Sequence, residues 1–355
     1  MSFLKLTTGV SADATAQSSR LKFSRQSIWF QTLIPGGSIT LCLAVAFIFF
    51  VQPDACAAVL VLPRWLWMIP GIVLALLGFT RNRKRPAVAA LALWLFYAAF
   101  FVQEFRSLIR FRTQSISEAA RNNGAAIRVI SLNCAAGNEK AAAEVANYHP
   151  DIVLLQESPS RPAVKRLAPI ILGPDAEILS GSDVSLIARG KLTPITPGNA
   201  QSAPFGHARI ELTSGSVVEV FSIRLRPYSI RADLWSPACW REQSENRKYQ
   251  REQFQWLARE VQKIPADVPV ILGGDFNLPA GDKLFHILEP RIRDTFRNAG
   301  HGWGNTLVND FPFIRIDQIW CDDHFRPLST TVQRTVNSDH RMLVCDLFFL
   351  STEKK

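Results

Sequence analysis

From position 26 to position 53 the chain carries no charged side chain, and WFQTLIPGGSITLCLAVAFIFFV at 29–51 forms the apolar body of that run. A hydrocarbon core of roughly 30 Å takes about 20 apolar residues in a helix, so the run is long enough to cross one. Two more apolar stretches follow. Residues 57–79 carry one charge, Arg64 beside Pro63, and 87–103 read AVAALALWLFYAAFFVQ. Three spans are the expectation, with two as the alternative. A buried bundle in a soluble protein fits three such runs poorly, and a cleaved leader would not be followed by two more. Trp29, Trp65 and Trp67 suit membrane interfaces. The expected organisation is a basic tail at 1–28, a transmembrane region at 29–112, a polar, alanine-rich linker at 113–126 and a globular domain at 127–350.

The charge follows the same division. Residues 1–112 hold 12 basic and 3 acidic side chains, a net +9, whereas residues 113–355 hold 28 and 27, a net +1. The overall +10 is therefore no polyanion-binding signature of the globular part, although a local basic patch stays open. Arg81, Arg83, Lys84 and Arg85 favour a cytoplasmic loop between the second and third runs, and Lys5, Arg20, Lys22 and Arg25 favour the same side for the N-terminus. The loop at Asp54 then lies outside, and three spans carry everything after Phe105 outside too. Arg106, Arg110 and Arg112 oppose this mildly. The six cysteines make no CxxC pair or metal-finger spacing; their even number permits a disulfide without pairing any two.

In the globular half, apolar strand-like runs occur at 127–133, 151–157, 184–190, 207–212, 217–223, 269–277, 315–321 and 341–350. Helices are expected at 138–148, with Asn138 as cap, and at 245–264, where Tyr249, Phe254, Leu257 and Val261 make the core face. Adjacent strands recur without intervening helices, which points to packed mixed sheets with outer helices. Three runs end in polar residues, at Asn133, at Glu157 and at Asp275 with Asn277. Strand ends are the usual place for a site. Taken singly, each is also an ordinary strand-end turn, and GGDFN (273–277) has good turn composition.

The segments SLN (131–133), LLQE (154–157), GGDFN (273–277), RIDQIW (315–320) and SDH (338–340) together resemble the motifs of the endonuclease/exonuclease/phosphatase family, a resemblance spanning residues 127–350. GWGNT (302–306) resembles a further segment common there. The resemblance implies an α/β four-layer sandwich of two mixed β-sheets flanked by helices, and hydrolysis of a phosphate ester with Mg²⁺ or Mn²⁺. It implies Glu157, Asn133 and Asp339 as metal-holding residues, since a hard divalent cation takes oxygen ligands. Asp275 becomes the carboxylate that activates water, with Asn277 binding a phosphate oxygen or orienting the nucleophile. His340 becomes the donor to the phosphoryl group, oriented and charged by Asp317. The remaining histidines, at 149, 207, 286, 301 and 324, are read as structural or surface residues.

One position departs from the pattern. Where many relatives carry a phosphate-contacting histidine, FSIRLRPY (221–228) places Arg224. Arginine can clamp phosphate through its fork, but it donates no proton at ordinary pH. It either preserves charge stabilisation with altered substrate preference or weakens the reaction. Arg226 and Tyr228 are open between that rim and the surface. The expected function is a membrane-tethered, metal-dependent phosphoesterase whose domain lies outside the cytoplasm, acting on a phosphoester that is lipid-linked or a nucleic acid. The alternatives are an extracytoplasmic nuclease and a membrane-linked binding module that has lost its chemistry.

Overall fold

A computed structural model describes residues 32–79, 84–110, 116–195, 203–227, 231 and 233–350. Arg81, Arg83, Tyr228 and the basic tail lie outside them. In chain order the helices are α1 (Thr32–Val51), α2 (Ala57–Leu60), α3 (Met68–Leu77), α4 (Arg85–Phe101), α5 (Gln103–Leu108), α6 (Glu118–Asn122), α7 (Glu139–Glu144), α8 (Arg161–Leu172), α9 (Pro237–Lys263) and α10 (Thr295–Ala299). The chain divides into two units, Met1–Phe50 with Arg64–Val102, and Val51–Pro63 with Gln103–Lys355.

In the first unit, α1, α3 and α4 meet through small and polar residues. Ser38 Oγ donates to the Gly71 carbonyl at 2.7 Å and accepts from Trp94 Nε1 at 3.1 Å. A Cβ on Gly71 would lie 2.0 Å from the Trp94 ring, so only glycine admits that approach. Ala75, Ala87 and Ala90 are buried, whereas Leu43, Phe47, Leu77, Leu95 and Phe100 are exposed. Among the described residues one helix, α1, is long and apolar enough to cross a membrane, and α4 is shorter. The run expected as a second span at 57–79 is no single helix. Asp54–Leu60 and Arg64–Leu77 diverge by 81° at their break, where Pro63 removes a backbone donor and disfavours helix in the residue before it.

The second unit is built on one sheet of eleven strands: β1 (Ala126–Asn133), β2 (Ile152–Gln156), β3 (Ala176–Ser180), β4 (Val184–Pro194), β5 (Phe205–Leu212), β6 (Val217–Arg224), β7 (Val270–Asp275), β8 (Arg293–Asp294), β9 (Asp317–Cys321), β10 (Phe325–Gln333) and β11 (Met342–Phe349). The order is β10-β11-β1-β2-β4-β5-β6-β7-β9-β8, with β3 beside β4. Parallel pairs β1/β2 and β6/β7 sit among antiparallel ones, so the sheet is mixed.

The expected two separate sheets are thus two limbs of a single curled one. The cause is β4. Its residues 184–188 pair with β2, and its residues 190–194 pair with β5. Gly190, at φ 124°, sits at the changeover, where a Cβ would fall 2.3 Å from the Glu211 carbonyl oxygen. The limbs face each other across a core that includes Val129, Leu154, Leu186, Ala208, Val220, Ile271 and Ile319. Helix α8 covers the outer face of one limb, with Val164, Leu167 and Ile171 against Val153 and Leu155. Helix α9 covers the other, with Phe254, Leu257 and Val261 against Phe221 and Leu272.

Candidate active site

Strand parity places the polar residues. Side chains alternate between faces along a strand. Ile127 and Val129 point into the core between the limbs, so Ser131 and Asn133 continue that inner face. The same count puts Gln156 of β2, Ser222 and Arg224 of β6, Asp275 of β7 and Asp317 of β9 on inner faces. Toward one end the apolar core gives way to this polar set. Gln156 Nε2 donates to Ser222 Oγ at 3.2 Å and so ties the limbs just behind the rim. At the rim Asn133 Nδ2 donates across the gap to Asp275 Oδ2 at 3.0 Å and to Glu157 Oε1 at 3.2 Å. Glu157 follows β2 with the wrong parity, and its left-handed backbone (φ 43°) turns its side chain toward this group.

Asp275 and Asp317 are direct partners across the antiparallel β7/β9 pair. His340 Nδ1 is hydrogen-bonded to Asp317 Oδ2 at 2.8 Å. Ligand atoms of Asp275, Asp317 and His340 all lie within 4.8 Å of one another, and all three residues are buried. Asp317 Oδ1 is buried with no hydrogen-bond partner. Two buried carboxylates this close repel unless a proton or cation lies between them. Burial, reinforced by Asp317, pushes the Asp275 carboxyl up to about 7. Burial disfavours the charged His340, but Asp317, Asp275 and Asp339 outweigh it and raise the imidazole to about 10. Oxygen donors with one imidazole, a free lone pair and unbalanced negative charge suit a divalent metal ion.

Asp275 is held at both oxygens, since Oδ1 accepts from the Asn277 backbone N–H at 2.9 Å. Asn277, in left-handed conformation, donates from Nδ2 to the Leu225 carbonyl. Its own carbonyl accepts from Gln250 of α9 at 2.9 Å.

Of the expected metal-holding residues, Asn133 and Glu157 are hydrogen-bonded to each other at the rim. Glu157 stands one amide away from the buried cluster, bridged to it by Asn133. Its oxygens accept from Asn133, from Arg224 Nη2 (2.8 Å) and from the Ala136 N–H (2.7 Å). Burial opposes ionisation of Glu157, yet these donors together keep its pKa below the ordinary value. Asn133 turns both amide hydrogens to carboxylates, while its Oδ1 accepts from the Ala135 N–H. Asp339 is exposed and lies outside the cluster. His340 has the carboxylates of Asp275 and Asp317 within 4.8 Å, because β7 and β9 are neighbours in the sheet.

Arg224 also has a setting that its sequence context did not reveal. Nη1 pairs with Asp183 at 2.8 Å while Nη2 pairs with Glu157, and its Nε is buried without a partner. Asp183 carried no signal, being an isolated acid in a turn before β4. Thr306 of GWGNT anchors the start of β9 by accepting from the Asp317 N–H. Asn305 beside it keeps a buried, unpartnered Nδ2.

Residues 130–340 match the model of the Endonuclease/Exonuclease/phosphatase family. The chain belongs to that family. Solved structures with the same fold include an endonuclease/exonuclease/phosphatase family protein of Bacteroides thetaiotaomicron, 15% identical over 65% of this chain and 97% of that one, TM-score 0.50. Also matched, at lower TM-scores, are the mannosyl-6-phosphatase Bt3783 of the same organism (16%, 63% and 100%, TM-score 0.48) and truncated Caenorhabditis elegans TDP2 (18%, 63% and 98%, TM-score 0.47). No curated protein matches the sequence. Family membership and the buried Asp/Asp/His cluster make this member a metal-dependent hydrolase of phosphate esters.

Proposed function

We propose that this member is a membrane-tethered phosphoesterase working outside the cytoplasm on a phosphate ester presented near the bilayer. The observation that carries the chemistry is the meeting of Asn133, Glu157, Asp275, Asp317 and His340 where the two limbs close. The carboxylates of Asp275 and Asp317 would hold a Mg²⁺ or Mn²⁺ ion, Asp317 through the Oδ1 that has no hydrogen-bond partner, with Glu157 beside them through Asn133. When bound, that ion supplies positive charge to the phosphoryl group and its attacking water.

The chain's own groups do the rest. Asp275 is fixed from two directions, and a carboxylate so fixed can orient a water and take its proton through the oxygen not turned to the cation. Asp317 holds the His340 ring by Nδ1, leaving Nε2 to donate to a phosphoryl oxygen as negative charge grows there. Asn277 spends one amide hydrogen on Leu225 and has a second for phosphate. Arg224 contributes permanent charge where relatives carry histidine. Its two carboxylate partners hold the guanidinium at the rim, where it can stabilise charge but donates no proton.

The tether is supported by the first unit's apolar outer surface, where Leu43, Phe47, Leu77, Leu95 and Phe100 are exposed while Ser38, Gly71 and Ala75 are among the residues packed within. That pattern is expected of helices packed in lipid, where close approach through small residues drives association. The near-neutral globular half favours a compact or lipid-linked phosphoester over a nucleic acid. The test uses purified full-length protein in detergent with bis-p-nitrophenyl phosphate. Hydrolysis should require Mg²⁺ or Mn²⁺, vanish in EDTA and fall at least ~10²-fold in Asp275→Asn. Turnover unaffected by chelation and by that variant would refute the reading.

A further inference from the structure

The segment Val51–Pro63 lies in sequence between two apolar helices, yet it belongs to the sheet-containing unit. Its attachment is polar and specific. Asp54 accepts from Arg247 Nε at 3.2 Å and from both terminal nitrogens of Arg251, at 2.8 Å for Nη1. Arg247, on α9, pairs at the same time with Asp282, and both side chains are almost wholly buried. Gln52 donates to the Gly281 carbonyl at 3.1 Å and accepts from the Lys283 N–H at 2.8 Å. Ala57, Leu60 and Val61 line a small cavity together with Gln243, Asn246 and Leu278. The same face of α9 reaches the active site, since Gln250 holds the Asn277 carbonyl and Asp282 ends the loop that Asn277 begins. The Arg251 hydrogen bond outweighs burial and keeps the Asp54 carboxyl below its ordinary range.

Accepting the tethered reading above, we propose that Val51–Pro63 is an extramembrane arm of the catalytic unit. It docks on α9 and on the 277–283 loop from the same side of the bilayer as the domain. Hydrogen bonds of about 3 Å cannot form across a hydrocarbon core of roughly 30 Å. The arm and the domain therefore share a compartment, and the chain between residues 63 and 103 crosses an even number of times. Either Arg64–Leu77 and α4 both cross as a pair, or both return without crossing. Two spans in total, with a single crossing between arm and domain, are ruled out by this proposal. The arm also supplies one of the two carboxylates that neutralise buried Arg247. It thereby braces the loop carrying Asn277.

Two measurements on the full-length protein test this. In the first, Asp54→Lys sets a cation against Arg247 and Arg251. Its melting temperature in detergent should drop by several degrees, and adding Arg251→Glu should recover more than half of the loss. Strictly additive losses would overturn the docking. In the second, Ala55→Cys and Thr213→Cys are placed singly in a Cys56→Ser background and labelled in sealed vesicles with a charged, impermeant maleimide. Both exposed positions should label from one side; labelling from opposite sides would overturn the shared compartment. Should the protein fractionate as soluble, the tether fails. The charge exchange then still decides, by itself, whether the arm docks.

Discussion

Asp317 never meets solvent, and its carboxylate is the partner that fixes His340. It is therefore the most direct handle on how the cluster works. Asp317→Asn keeps the shape and can keep the hydrogen bond while removing the charge that favours imidazolium. On the proposed mechanism kcat should fall roughly 10²-fold with little change in KM, because the charge matters most as the phosphoryl group gains electrons. Circular dichroism should stay unchanged; an equal loss in kcat/KM through KM alone would contradict the assignment. A second residue tests stability rather than chemistry. Glu219 is buried and accepts from Arg209 Nε at 2.8 Å, with His207 Nε2 at 2.7 Å. Burial opposes its ionisation, but these partners win and lower its pKa. A carboxyl depressed in the folded state adds stability above its unfolded pKa, about 4.3, and loses it as pH falls through the folded value. The melting-temperature gap between the native protein and Glu219→Gln should thus be constant from about pH 8 down to about pH 5, and close in acid. Sequence could point to Asn133, Glu157 and Asp275 because each ends an apolar strand-like run, and to Asp317 through the resemblance that RIDQIW carries. It could not assign their partners. Glu157 depends on one left-handed residue, and the Asp183–Arg224–Glu157 chain joins segments whose nearness only the curled sheet creates.

Among the elements, β4 decides the architecture. The apolar run over 184–190 is visible in sequence, but the strand's continuation to Pro194, past Gly190, is not, and that continuation joins the limbs. Gly190→Ala would force a side chain into a left-handed conformation and against backbone at Glu211. The expected cost is about 3 kcal/mol, combining backbone strain with steric displacement. Chemical denaturation in detergent should show it as a lowered midpoint; an unchanged midpoint would mean the two limbs do not depend on this bend. The strands with clean apolar runs, β1, β2, β6, β7, β9 and β11, were legible for that reason. Strands β3 and β10 were not, because neither buries a continuous face: β3 is half-exposed or exposed throughout, and β10 fully buries just Phe325 and Thr330. Helix α9 begins eight residues before its expected start at 245. Its extra turns are polar in composition yet bury Cys239 and Gln243, so no apolar stripe announced them. Tyr249, expected in the core, is exposed and lies under the Arg226 guanidinium at 4.7 Å. It falls on the edge of the stripe that Phe254, Leu257 and Val261 define.

For the whole molecule, the uneven charge is the property most exposed to experiment. The basic excess belongs to residues 1–112, while 113–355 carry 28 basic and 27 acidic side chains. Within the described rim the positive charge of Arg224 is already matched by Glu157 and Asp183. A protein that grips a nucleic-acid backbone releases counterions, and its affinity falls with a log–log salt slope of about −0.9 per phosphate neutralised on duplex DNA. A site that takes one phosphoester, held by a metal and a few local donors, has almost no such atmosphere to release. The ratio kcat/KM for a small or lipid-linked phosphoester should therefore change less than about twofold between 50 and 200 mM salt at fixed free Mg²⁺. A nuclease making six or more phosphate contacts would lose on the order of 10³ over the same interval. Measuring both substrates in one detergent system separates the cases, since a steep slope for DNA with comparable low-salt turnover would return the molecule to the nucleases. The prediction is strictest for the full chain, because there the basic tail and loop are present, and a flat profile would show that they take no part in binding the substrate.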